Sequence, residues 1–151
     1  MTFGDPDGFE GFPRGRLSLR WDRRRILSVL ASEVRILADE NRWGATRRLA
    51  DLGSLPDDLL ELLTPTVVPD GEIAESDGFV WGRLPPARKQ TRLFRAGSPA
   101  ASAFEGFDGH TQLAATARRL AEELGWESSR AFAYVRGLFL HLVTLGFCRP
   151  K

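Results

Sequence analysis

The chain has 151 residues, of which 21 are Lys or Arg and 20 are Asp or Glu, so its formal net charge is close to zero. A chain of this length forms one domain or two small ones and buries roughly 70% of its unfolded surface. Two His and one Cys are too few for a closed zinc site, and one Cys excludes an internal disulfide. The composition therefore predicts no metal or other cofactor and no general affinity for nucleic acid.

The chain has no segment with the pattern of a signal peptide or of a transmembrane helix. Residues 1 to 13 lack an apolar core, and no run of about 18 apolar residues occurs anywhere. We therefore predict a soluble, cytoplasmic protein with no membrane partner.

The first 63 residues divide into a tail and a small unit. Residues 1 to 15 combine Gly, Pro, acidic residues and Phe, a mixture that predicts a flexible tail. Its aromatic residues Phe3, Phe9 and Phe12 could dock on a partner or pack loosely on the domain. Residues 16 to 63 are predicted to form a small N-terminal α/β extension of unknown type.

The sequence predicts some helices and strands of this extension more clearly than others. Alternating polar and apolar residues predict a strand from residue 16 to 21, whereas residues 26 to 38 fit either a helix or two short strands. One helix is predicted from residue 45 to 52. Another begins after Ser54 and continues until Pro65 ends it.

Residues 64 to 149 are predicted to form a second unit, in which three strands precede three helices. The strands, at residues 67 to 73, 79 to 84 and 89 to 94, are separated by the turn pairs Asp77-Gly78 and Pro85-Pro86. Such an arrangement belongs to the α+β class.

The helices of this unit begin at Ser98-Pro99, after Asp108-Gly109 and near Glu127. The second helix has Leu113, Ala117, Leu120 and Leu124 on one face, and the third runs from 127 to 145. Gly125 and Gly146 supply their C-terminal ends.

The third helix is apolar on two sides. Its core face carries Phe132, Val135, Phe139, Leu142 and Val143. The opposite stripe is mixed and consists of Arg130, Tyr134, Gly137, Leu138, His141 and Leu145. This stripe is either covered by a second layer, which residues 16 to 63 could supply, or it forms one wall of a groove. His141 alone is more typical of a core or interface histidine than of a catalytic one.

The segment before the first of these helices is strongly basic. Residues 88 to 95 contain four cations and no acid. If the segment is an edge strand, its cations discourage aggregation between sheet edges. Alternatively, the same edge accepts an extended peptide as an added strand, and its cations select acidic sequences.

A family resemblance covers residues 64 to 149 and is most specific from Leu93 onward. It is carried by Leu93-Phe94, Ser98-Pro99-Ala100-Ala101, Phe104, Asp108-Gly109, Leu113, Leu120, Val135, Leu138, Leu142 and Leu145-Gly146-Phe147. In this order the residues resemble the PqqD-like fold, also called the RiPP precursor peptide recognition element. The chain departs from the family pattern at Gln112, where a capping Thr is usual, and at Thr116, where an apolar residue is usual.

The resemblance implies a winged helix-turn-helix that binds the leader of a ribosomally made precursor peptide and presents it to a modifying enzyme. In that family the leader lies antiparallel along the third strand, beside the third helix. The matching positions here are Gln90, Thr91, Arg92, Leu93, Phe94 and Arg95 on the strand, and Arg130, Tyr134, Leu138 and His141 on the helix.

The sequence is also compatible with functions other than peptide binding. A winged-helix DNA-binding protein would place Arg118 and Arg119 on phosphates, but its recognition helix would offer only Arg130 and Arg136 to the bases. An accessory subunit of an enzyme complex is a further alternative. We do not expect an enzyme, because no nucleophile elbow, glycine-rich phosphate loop or paired metal motif occurs.

Overall fold

The computed structural model describes residues 8 to 19 and 49 to 151. These residues form an α+β structure, as the sequence predicts. The helices are α1 (Asp57–Leu60), α2 (Pro99–Phe104), α3 (Leu113–Leu124) and α4 (Ser128–Leu145). The strands are β1 (Pro65–Val67), β2 (Glu72–Ser76), β3 (Phe79–Arg83), β4 (Thr91–Arg95) and β5 (Cys148–Pro150).

The larger sheet is antiparallel, with the strand order β2-β3-β4. A two-residue turn joins β2 to β3, and both of its residues have positive φ, 55° at Asp77 and 78° at Gly78. These angles fit the type I′ turn, which matches the twist of a hairpin and for which Asp-Gly is a favoured pair. The predicted turn is therefore confirmed, and β4 lies at one edge of this sheet.

The strand predicted at residues 67 to 73 is wrong, because two strands separated by a turn occupy this region. Within the turn, the Gly71 amide donates to the Val68 carbonyl at 3.0 Å, and Pro69 begins the reversal. β1 pairs with β5 at the end of the chain, where Val67 lies opposite Cys148. The sequence analysis did not predict β5.

The core lies between α4, α3 and the larger sheet. Leu113, Leu120, Val135, Phe139 and Leu142 are all fully buried there, as predicted, whereas Phe104 is partly buried against them. Both long helices end where the sequence predicts, at glycines with positive φ. α3 begins at Leu113 without a side-chain cap from Gln112.

The N-terminal extension is described only in part. Residues 16 to 19 are not in a strand, and the helix predicted after Ser54 is reduced to the short α1. Residues 49 to 51 are helical, in agreement with the end of the helix predicted at 45 to 52. The predictions for residues 20 to 48 lie outside the described residues.

Candidate functional site

The outer edge of β4 carries main-chain groups that no other strand of the described residues uses. The Ala96 amide donates to the Gly78 carbonyl at 3.0 Å, and Phe79 lies opposite Arg95. In an antiparallel ladder this pattern makes Phe79 and Arg95 a non-hydrogen-bonded pair, so the Arg95 amide points away from β3. Hydrogen-bonded and non-hydrogen-bonded pairs alternate along β3, so Trp81, two residues after Phe79, is again in a non-hydrogen-bonded pair. The amide of Arg92, which lies opposite Trp81, therefore also points away from β3.

A bulge near Leu93 sets the spacing of these outward groups. The register shifts between Val80 and Trp81, which leaves Leu93 as the additional residue on β4. Leu93 and Phe94 are adjacent in sequence, yet they are only 3% and 2% exposed. A bulge explains this because it interrupts the alternation of side chains along the strand. The outward amides are therefore three residues apart instead of two.

Aromatic and basic side chains share the solvent-facing side of the larger sheet. The Arg92 guanidinium lies 4.7 Å from the centroid of the Phe79 ring, and the Phe79 and Trp81 rings are 6.4 Å apart. Arg95 stands directly opposite Phe79 and therefore projects to the same side. Phe79 and Trp81 are not among the predicted site residues, although their spacing of two residues on one strand indicates a shared face.

The remaining positions of the predicted strand site differ in exposure. Gln90 is exposed and precedes β4, Thr91 is half-buried, and both Arg92 and Arg95 are exposed. All of these side chains belong to the peptide site that the resemblance implies. On burial alone, the two arginines are accessible to a ligand, whereas Leu93 and Phe94 belong to the core.

The mixed stripe of α4 is covered by the N-terminal segment. Tyr134 and Leu138 are fully buried, while Arg130 and His141 are half-buried. The Phe9 ring packs edge-on against Tyr134 at 5.6 Å between centroids and lies 5.4 Å from His141. Residues 8 to 15, for which the sequence predicts a flexible tail, therefore contribute a layer over the stripe.

Two further contacts fix this segment on the helix. The Arg130 Nε donates to the Glu10 carboxylate at 2.8 Å. A β-carbon on Gly137 would lie 1.7 Å from the Phe9 carbonyl oxygen. Only glycine at this position allows the two backbones to approach so closely.

An ionic cluster continues the contact between the N-terminal segment and α4. Asp57, in the first turn of α1, accepts hydrogen bonds from Arg14 at 2.9 Å and from Arg136 at 3.0 Å. The hydrogen bond from Arg14 is the main cause that lowers the pKa of Asp57, and Arg136 lowers it further. Arg136 is only 7% exposed, so Asp57 neutralises a buried cation.

This cluster predicts a loss of stability in acid. Because the pKa of Asp57 is lower in the folded state, its contribution is complete above the unfolded value near 3.8 and is lost as the pH falls through the folded value. We expect Asp57→Asn to lower the free energy of unfolding by about 2 kcal/mol at pH 7, since it weakens hydrogen bonds to charged groups. Urea denaturation of both proteins at pH 7 and pH 3 tests this. An equal difference at the two pH values would contradict the assignment.

The two halves of the predicted site have different neighbours. β4 packs against β3 and α2, where the Phe94 and Phe104 rings are 5.3 Å apart. The α4 stripe contacts Phe9 and Phe12, whose rings lie 5.4 and 6.2 Å from His141. Among the described residues, the outer edge of β4 has no partner strand, whereas the α4 stripe is covered by Phe9 and Phe12.

Within the described ranges 8 to 19 and 49 to 151, no three His, Cys, Asp or Glu side chains are close enough to hold a metal ion. No helix in the same ranges is long and apolar enough to cross a membrane. Comparisons of the chain with protein-family models, curated proteins and solved structures gave no match.

Proposed function

We propose that this protein is a non-catalytic module that binds the leader of a ribosomally synthesised precursor peptide and presents it to a modifying enzyme. The observation that carries the proposal is the edge of β4, where the amides of Arg92 and Arg95 point away from β3. An extended peptide added there would continue the sheet, and its main-chain bonds would provide affinity without a demand for one sequence.

The order of the elements supports a winged helix of the PqqD-like type. A three-stranded antiparallel sheet with a tight hairpin precedes three helices, and the last helix is the most deeply buried. In this proposal the β2-β3 hairpin is the wing, and β4 is the strand that receives the leader. The described residues also form a second, two-stranded sheet from β1 and β5, which brings the end of the chain beside the start of this unit.

The charges around β4 favour an acidic leader. Arg92 and Arg95 project to one side of the sheet, and Arg88 and Lys89 are exposed in the loop before the strand. Arg83, on the same side, is already paired with Glu72 at 2.8 Å. No acid among the described residues pairs with Arg92 or Arg95. Carboxylates of a leader on the solvent-facing side of the sheet could therefore pair with these cations, and such complementary charges increase both the specificity and the rate of association.

The ion pairs and the burial of α4 argue against DNA binding. The two cations that this helix offers to bases are both engaged, Arg130 with Glu10 and Arg136 with Asp57. Eleven of its 18 residues are buried. A recognition helix must place its side chains in the major groove, and the burial of α4 prevents this.

We expect the double substitution Arg92→Glu and Arg95→Glu to weaken binding of an acidic leader by about 1 to 3 kcal/mol at low salt, because attraction becomes repulsion. Wild-type binding should weaken as salt rises, whereas binding by the variant should not. Fluorescence anisotropy with labelled leader peptides, synthesised from short reading frames beside the gene, measures both effects.

Arg118→Glu is the control for either single substitution, because it makes the same change of charge at an exposed cation on α3. It should leave peptide binding unchanged. Equal losses from Arg118→Glu and from Arg92→Glu or Arg95→Glu alone would mean that net charge, not the β4 edge, determines binding. Tight sequence-selective binding of duplex DNA at physiological salt, unaffected by leader peptide, would reverse the proposal.

A further inference from the structure

The segment Phe9–Gly11 and the following Phe12 lie on α4 in the way a bound peptide would. Phe9 is 4% exposed and is the aromatic anchor, because its ring contacts both Tyr134 and His141. Glu10 makes the ion pair with Arg130. Phe12 adds a second, edge-on contact with His141. An apolar anchor, one charged pair and a second ring are the usual parts of peptide recognition.

Gly137 leaves room on the face of α4 for the backbone of Phe9. It lies in the interior of α4, where glycine costs about 1 kcal/mol relative to alanine. At this position the helix has no side chain, and the Phe9 carbonyl fills the space that a β-carbon would need. The helix therefore carries a notch that admits the main chain of an incoming segment.

The tetrapeptide on α4 forms the same turn at two places in the chain. Phe-Glu-Gly-Phe occurs at residues 9 to 12 and again at residues 104 to 107. In both copies the last Phe amide donates to the first Phe carbonyl, Phe12 to Phe9 at 3.2 Å and Phe107 to Phe104 at 3.0 Å. A segment that favours its bound turn loses less entropy when it binds.

We propose that the outer stripe of α4 is a peptide-binding surface for a segment of the form aromatic, acid, any residue, aromatic, and that residues 9 to 12 are its intramolecular ligand. The partner is a leader peptide that carries the same pattern and displaces the chain's own segment. This identification of the partner rests on the proposed function, whereas the recognition chemistry rests on the contacts of residues 9 to 12. Strand addition at β4 and capture at α4 would then be two contacts with one leader.

The tethered segment determines how a free peptide competes. Residues 9 to 12 are held on a short connection, because the chain just after them is attached where the Gly15 amide donates to the Gly53 carbonyl at 3.0 Å. A ligand held in this way has an effective concentration of the order of millimolar, so a free peptide at micromolar concentration displaces it poorly. Weakening the tethered copy should therefore expose the surface and raise the apparent affinity for an added peptide. The surface itself must remain intact for this to occur.

The test uses the full chain and a labelled synthetic peptide with the sequence of residues 8 to 14. We expect Glu10→Arg, which replaces attraction by repulsion at Arg130, to increase the apparent affinity for this peptide by at least about tenfold over wild type. Adding Arg130→Glu to Glu10→Arg restores the internal ion pair and should remove the gain. A peptide with Arg in place of its Glu should instead prefer the protein with Glu at position 130 over the protein with Arg there. Fluorescence anisotropy measures all of these affinities.

Folding is monitored by circular dichroism, and a second variant covers the case in which Glu10→Arg changes the fold. Phe9→Ala with Phe12→Ala removes both rings from the surface, and the same peptide should again bind more tightly than to wild type. If neither variant gains affinity while one of them remains folded, the proposal is wrong. A gain that persists when Arg130→Glu is added would also overturn it.

A third variant separates this inference from the function proposed above. Arg95→Pro removes an outward amide of β4 and leaves the α4 surface untouched. The peptide of residues 8 to 14 should bind equally well with and without this proline in the Glu10→Arg background. Suppose that Arg95→Pro abolishes leader binding but neither Glu10→Arg nor Phe9→Ala with Phe12→Ala binds the short peptide more tightly than wild type. Strand addition is then supported and the α4 inference is wrong. If the short peptide binds and Arg95→Pro has no effect on the leader, the inference stands and strand addition fails.

Discussion

Replacing Phe139 with alanine is expected to lower the free energy of unfolding by about 3 to 5 kcal/mol, a large fraction of the roughly 5 to 15 kcal/mol that stabilises a typical domain. Phe139 is fully buried in α4, and its ring packs edge-on against Phe107 at 5.9 Å between centroids. Truncation removes apolar burial and leaves a cavity that the surrounding side chains fill only in part. Urea denaturation monitored by circular dichroism measures the change.

Leu62→Ala is the matched control, because Leu62 is 56% exposed in the loop after α1. We expect this surface substitution to change stability by less than about 0.5 kcal/mol. If Phe139→Ala were as mild as the control, the core would not be organised around α4 as the structure shows.

The elements that the sequence predicts well are those defined by local rules. α3 and α4 have apolar residues with helical periodicity and end at Gly125 and Gly146, where positive φ stops a helix. The β2-β3 hairpin follows from Asp77-Gly78 in the same way. In each case the information lies within a few neighbouring residues.

The elements that the sequence predicts poorly depend on contacts between distant residues. β1 and β5 are three residues each and stabilise one another across more than 80 positions, so neither has a local signal of its own. The bulge at Leu93 likewise depends on its pairing with β3. Without the partner strand, alternation along residues 90 to 95 predicts the wrong set of outward groups.

The α4 stripe shows how tertiary contacts decide between two interpretations of one pattern. Its periodicity is compatible with a covered face or with a groove, and the sequence analysis left both open. In the structure, Phe9 and Phe12 lie on it. Gly137 is the residue that could have indicated this, since glycine is unfavourable in the interior of a helix and its presence there suggests a packing reason.

These differences change which variants test the strand site. From the sequence alone, a proline at Thr91 or Leu93 and a glutamate at Leu138 are the natural choices. Leu138 is fully buried, so a glutamate there would place a carboxylate in the core and destabilise the whole domain. The register of β4 assigns the outward amides to Arg92 and Arg95, and Arg95 lies away from the bulge.

Arg95→Pro is therefore expected to abolish leader binding while the protein stays folded. Proline removes the outward N–H that an added strand would bond, and it is tolerated on an edge strand where that group faces solvent. The Arg95 carbonyl already accepts a hydrogen bond from the Ser98 hydroxyl at 2.6 Å, so the amide is the group of this residue that remains for a peptide. Phe94→Pro should instead destabilise the sheet, because the Phe94 amide faces β3.

Arg95→Ala separates the amide from the cation, because it keeps the N–H and removes the guanidinium. We expect Arg95→Ala to weaken leader binding by no more than about 1 kcal/mol and Arg95→Pro to reduce it below detection. Amide hydrogen exchange of the wild-type protein, with and without the leader, locates the contact, and protection should appear at Arg92 and Arg95. If alanine and proline have the same effect, the site recognises charge alone and no strand is added. Protection confined to residues 16 to 63 would place the leader on the N-terminal extension instead.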